Sequence, residues 1–202
     1  MLYALLRPPG YRARPSVADA TRVLVSIGGA LLPMSPPTHN MTAGLNFDLS
    51  IDPNPRFVST VRRFVEEAFE RLLPDPDAVF RVSMTAHELL ENATKYSLGS
   101  RALLRFATRL EGEIAHITLS LINETSPAHI DRLRGRIDAI ARCRDPFVHY
   151  QQLMKDTCRI TSESGLGLAR IAAEAEMTLG LEVKGGTVAI MASTRASTRE
   201  KP

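Results

Sequence analysis

Residues 78–96 read AVFRVSMTAHELLENATKY. At 100° per residue one side gathers Val79, Val82, Ala86, Leu89, Leu90 and Ala93, which predicts a helix from Ala78 to Tyr96 with that side buried. Along the opposite stripe stand Thr85, Glu88, Asn92 and Lys95, at i, i+3, i+7 and i+10, so a carboxylate, an amide and an ammonium stack along one edge and can converge on one ligand. An Asn oxygen is a hard ligand suited to magnesium, and Lys95 can offset phosphate charge. The same stripe also fits an ordinary exposed helix face, with Glu91 and Lys95 as an i, i+4 pair. From this helix alone the second reading is the commoner one.

Outward from it, the chain alternates clear periods. Leu45, Phe47, Leu49 and Ile51 alternate with Asn46, Asp48, Ser50 and Asp52, the pattern of a half-buried strand, which Asp52-Pro53-Asn54-Pro55 ends. Between Arg56 and Leu73 the apolar residues Phe57, Val61, Phe64, Val65, Ala68, Phe69 and Leu72 keep helical spacing. Pro74-Asp75-Pro76-Asp77 closes that helix and supplies a cap for the next. Beyond Tyr96, Ala102–Leu110 and Ile114–Ile122 read as strands joined through Gly112, and a meander is the simplest arrangement. Pro127–Ala141 and Pro146–Met154 read as short helices, followed by the polar loop Thr161–Ser164. Gly165-Leu166-Gly167 opens a helix to about Ala175, and Met177–Val183 and Thr187–Ser193 form a last hairpin turning at Lys184-Gly185-Gly186. Helices followed by hairpin strands predict an α+β fold, a two-layer sandwich whose mostly antiparallel, mixed sheet is covered on one face by helices. No G-x-x-x-x-G-K-[ST] loop occurs, which excludes the common P-loop enzymes.

Residues 1–40 differ. They hold six of the 13 prolines and no sustained period, so they are expected to be a tail or an over-extended start, with translation beginning at Met34 or Met41. Residues 41–195 form the expected domain and 196–202 a second tail. Arg7, Arg12, Arg14 and Arg22 against Asp19 account for the whole +3 charge of the chain, which leaves the domain neutral. With no Trp and no basic run interleaved with aromatics, nucleic-acid binding is disfavoured. Val23–Leu32 is too short to span a membrane and lacks a clear cleavage site after it. Cys143 and Cys158 have no neighbours at metal or disulfide spacing, which suits a reducing, cytoplasmic setting.

A second motif completes the picture. In Ser164-Gly165-Leu166-Gly167-Leu168, glycines let backbone N–H groups approach phosphate oxygens at a helix start. Glu88-Leu89-Leu90-Glu91-Asn92-Ala93-Thr94-Lys95-Tyr96 resembles the N-box of the GHKL ATPases, and the glycine segment resembles their G-x-G-L box at the end of the ATP lid. The spacing of the two is about that of the family; the continuation through Ala175 and the last hairpin also resembles the anti-sigma-factor kinase branch, and the likeness runs from about Leu45 to Ser193. It implies a Bergerat-type ATP-binding fold, ATP and magnesium as cofactors, Asn92 as the magnesium ligand, Glu88 as catalytic base, and Lys95 near the phosphates. Gly165, Leu166, Gly167 and Leu168 are then nucleotide-binding. The family's D-x-G-x-G adenine box is altered: Asn123 stands in the Asp place, and Thr125 and Pro127 in the glycine places. Asn123 keeps a carbonyl acceptor for adenine, but a neutral acceptor binds less strongly than a carboxylate.

The resemblance implies an ATP-binding regulator that binds a sigma factor or phosphorylates a serine on an antagonist protein; such kinases commonly form homodimers. A second expectation is a degenerate, non-catalytic protein-interaction module. The output domain of a sensor kinase is a poorer fit, since no helix with a phosphoacceptor His precedes the domain.

Overall fold

Asn54-Pro55, Asp75-Pro76, Ser126-Pro127 and Asp145-Pro146 each open a helix in the computed structural model, which describes residues 42–157 and 165–199. In each pair proline takes the first helical position, where an N–H would have no partner in the helix, and the side chain before it accepts from the first turn. Arg56 N–H donates to Asn54 at 3.0 Å, Asp77 N–H to Asp75 at 3.2 Å, His129 N–H to Ser126 at 3.2 Å and Phe147 N–H to Asp145 at 2.9 Å. The helices so started are α1 (Pro55–Glu70), α2 (Pro76–Tyr96), α3 (Pro127–Arg142) and α4 (Pro146–Thr157). The fifth, α5 (Leu166–Ala173), starts differently: Gly165 precedes it at φ 62°, in the left-handed region, and has no side chain of its own to cap the turn.

Six strands, β1 (Thr42–Ala43), β2 (Phe47–Ile51), β3 (Ala102–Glu111), β4 (Ile114–Glu124), β5 (Thr178–Lys184) and β6 (Thr187–Ser197), form one sheet. Its order is β1–β3–β4–β6–β5, with β2 also on β3. β1 pairs with Leu110 and Arg109 of β3, and β2 with the stretch from Phe106 to Ala102, so the two share one flank of β3. The break between them lies at Gly44, where a side chain would run into the Thr108 carbonyl, and the Asn46 side chain accepts from Thr108 N–H at 2.8 Å in place of a ladder carbonyl. Every pairing among the described residues is antiparallel, so the mixed element expected of the sheet is not seen there. Gly112 and Gly185, at φ 58° and 61°, turn the two hairpins. The meander stops at β4: the chain leaves to build α3, α4 and α5, returns at the sheet edge as β5, and inserts β6 between β5 and β4.

Alternation along the strands makes one face of the sheet apolar. On β4, Ala115, Ile117, Leu119 and Leu121 are buried while Thr118 and Ser120 between them are half-buried. That inner face, with Leu104, Phe106 and Ile190, packs under the helices, giving the two-layer α+β sandwich. Phe106 is the hub of an aromatic group, stacked on Phe47 at 4.4 Å between ring centres and tilted against Phe69 at 5.9 Å.

α2 lies in the middle of the helical layer, between α1 and α5 and over β3, β4 and β6. All six residues of its expected apolar face are buried, and so are Ser83, Met84 and Thr85. Thr85 was expected on the polar stripe; instead it is fully buried, because α5 and the chain leading from it to β5 cover that part of the helix. Its hydroxyl donates back to the Arg81 carbonyl at 2.8 Å and lies 3.3 Å from Met177 Sδ, so burial leaves it satisfied. No helix among the described residues is long and apolar enough to cross a membrane.

Candidate functional site

The start of α5 faces the second half of α2 across a cavity of about 370 Å³. Glu88, Asn92 and Lys95 line it from α2, Arg136 from α3, and Gly165, Leu166 and Gly167 from the α5 entry. The two glycines permit the approach in different ways. Gly165 supplies the left-handed backbone and lets Arg136 pass, since a Cβ there would lie 2.6 Å from the guanidinium Nε. Gly167 supplies space: a Cβ would lie 2.6 Å from Glu88 Oε2 and 3.8 Å from Asn92 Nδ2. The two segments singled out in the sequence therefore meet, Glu88 and Asn92 on one wall and Gly167 on the other.

Each α2 side chain has a defined partner. Asn92 Nδ2 donates to the Glu88 carbonyl at 3.0 Å, which fixes the amide plane and turns Oδ1 away from that carbonyl. Lys95 Nζ donates to Glu91 Oε2 at 2.6 Å, so the i, i+4 pair is formed even though Lys95 also lines the cavity. The ammonium holds the Glu91 carboxyl below the usual carboxylate range, and the carboxylate in turn raises Lys95. Glu88 Oε1 accepts from Arg170 Nη1 at 3.0 Å.

Arg170 was not singled out in the sequence. It sits on α5 one turn after Gly167, and its Nε donates to Glu174 Oε2 at 2.7 Å, so one guanidinium bridges two carboxylates. Glu174 foremost, and then Glu88, raises its pKa further. Tyr150 of α4 stands beside Glu174; burial first, and then that carboxylate, pushes its phenol up. The i, i+4 spacing of Arg170 and Glu174 was visible, but the partner across the cavity lies 82 residues away and carried no local signal.

Two other expected residues lie elsewhere. Leu168 is 1% exposed, part of the core under α5. Asn123 is buried at the end of β4 and lines a separate pocket with Ala102 and Gly99, its amide donating to the Glu124 carbonyl at 3.2 Å. Close by, the Thr125 hydroxyl donates to the Tyr96 carbonyl at 2.7 Å and Tyr96 stacks on His129 with ring centres 3.9 Å apart, so the end of α2 is tied to the start of α3. Cys143 is a free thiol donating to the Ile140 carbonyl; Cys158 and the loop Thr161–Ser164 lie outside the described residues.

No family model matches the sequence, and no curated protein does. Among solved structures the fold is similar to a chain in the crystal structure of the SiaB–SiaC complex from Pseudomonas aeruginosa, with a TM-score of 0.58 and 17% identity over 73% of this chain and 88% of that one. At that identity the likeness is one of fold.

Proposed function

We propose that this chain is a nucleotide-binding regulatory protein, which takes magnesium-ATP into the cavity between α2 and α5 and acts through a protein partner. The observation that carries the reading is the close approach of Gly167 to Glu88 and Asn92: a glycine free of a side chain faces the wall that bears the carboxylate and the amide. The α5 entry opens on a glycine rather than a capping side chain, and helix starts reached through glycine can bind phosphate through backbone N–H groups. Asn92 Oδ1 is the residue oxygen for magnesium. No three His, Cys, Asp or Glu side chains converge as metal ligands among the described residues, so phosphate and water oxygens must fill most of the ion's shell, the usual arrangement for magnesium. Bound there, the ion would neutralise phosphate charge. Lys95 from α2 and Arg136 from α3 also line the cavity.

For phosphotransfer to a serine of a partner, Glu88 is the base that accepts the hydroxyl proton. A sigma factor or its antagonist is the partner class that the resemblance to anti-sigma-factor kinases suggests, and a fold neighbour taken from a two-protein complex supports a protein partner in general. A homodimer is the assembly proposed with it.

A second reading, a non-catalytic docking module, is favoured by the position of Asn123. The one residue assigned to adenine lines a pocket apart from Glu88 and Gly167. The two readings part in a thermal-shift titration with magnesium-ATP and magnesium-ADP. Saturable stabilisation by either nucleotide supports the first reading; an unchanged melting temperature with both supports the second.

A further inference from the structure

Arg170 joins the two walls of the cavity, and its chemistry suggests more than a staple. Its Nη1 donates to Glu88 at 3.0 Å and its Nε to Glu174 at 2.7 Å, while Tyr150 backs Glu174 from α4. The Glu88 side chain is only 12% exposed, so its charge is poorly hydrated and needs a partner. Among the described residues the other carboxylate lining the cavity, Glu91, is matched by Lys95, with His87 Nε2 3.3 Å from its second oxygen. Among those residues Arg170 is the cation in contact with Glu88, while Lys95 and Arg136 line the cavity wall.

We propose that Arg170 is a positioning residue of the cavity: it cancels the Glu88 charge and holds that carboxylate against Gly167, so that a phosphate-bearing ligand can enter beside it. The inference rests on the nucleotide reading above and extends it to a residue outside both motifs. Without the guanidinium, a bare carboxylate would face the phosphates at a wall where water screens it weakly, and like charges at such distances repel strongly. The fork of Arg reaches two carboxylates at once in fixed directions. The point charge of Lys does not, so Lys restores the charge and loses the bridge.

A double-mutant cycle on the dissociation constant of magnesium-ADP separates this role from a purely structural one; ADP keeps turnover out of the measurement. Arg170→Gln is expected to weaken binding about tenfold, and by less than about threefold when Glu88→Gln has already removed the charge it cancels. Arg170→Lys falls between wild type and Arg170→Gln. Should Arg170→Gln prove too unstable to titrate, Arg170→Lys with and without Glu88→Gln closes the same cycle. Equal losses in both backgrounds, or no loss in either, make Arg170 a staple between α2 and α5 and overturn the inference while leaving nucleotide binding intact. A wild-type protein that binds neither magnesium-ADP nor magnesium-ATP overturns the nucleotide reading itself, and the inference with it.

Discussion

Glu88 lies against Gly167 in the space a side chain there would need: a Cβ on the glycine would sit 2.6 Å from Glu88 Oε2. The carboxylate cannot swing aside freely, because Arg170 holds its other oxygen at 3.0 Å. One residue from each sequence motif is thereby fitted to the other.

Gly167→Ala is expected to destabilise the fold by about 1–3 kcal/mol, the usual cost of forcing a methyl into a packed site. With Glu88→Ala already in place the sign should reverse, since alanine is the better helix former by about 1 kcal/mol. Chemical denaturation of the four proteins checks it. Equal losses in both backgrounds would mean that Glu88 is not the obstacle.

Phe106 carries the contact between sheet and helices, 1% exposed and in ring contact with Phe47 and Phe69. Truncation by Phe106→Ala should cost about 3–5 kcal/mol. A loss under about 1 kcal/mol in urea unfolding would show that the layer is not closed around this ring.

The Lys95–Glu91 pair gives a small pH dependence with a definite sign. Lys95 lowers the Glu91 pKa, so the stability it contributes is present above the unfolded carboxylate pKa and is lost as pH falls through the lower folded value. Both side chains are more than a third exposed, so solvent screening limits the pair to about 0.3–0.5 kcal/mol. Lys95→Met should cost about that much at neutral pH and nothing once Glu91 is protonated; a cost that persists in acid would assign the effect to packing.

Catalysis gives the sharpest separation of binding from chemistry. If the protein phosphorylates a partner, Glu88→Gln should retain nucleotide affinity within a few-fold and abolish transfer of label from ATP, because an amide cannot take the hydroxyl proton. Undiminished transfer by the variant would remove Glu88 as the base. Absence of transfer by wild type to any cognate partner would favour the docking module.

The periodicities that build the layers were legible: α2 buries the six residues that its 3.6-residue period selects, and β2, β3 and β4 follow period two. What was hidden depends on contacts distant in the chain. The two-residue β1 has no pattern of its own and exists through its pairing with β3. The place of β6 between β4 and β5 is a matter of topology that no local run encodes. Thr85 reads as polar on a wheel, yet its hydroxyl is satisfied by the carbonyl one turn back, so α5 and Met177 can cover it. Asn123 reads as an acceptor for a base, and the bond its Nδ2 donates to the neighbouring carbonyl has no signature in the sequence. Arg170 needed the approach of α5 to α2 before its second carboxylate could be named.

The central claim is that Asn92 and the glycine entry of α5 hold a magnesium nucleotide. Isothermal titration of magnesium-ATP into wild type and Asn92→Ala tests it most directly, with thermal melts to show that both proteins fold. The account predicts a saturable one-site isotherm for wild type and an affinity at least about tenfold weaker for Asn92→Ala, as loss of a metal ligand requires. Equal affinities, or no heat of binding in wild type under the same conditions, would contradict it.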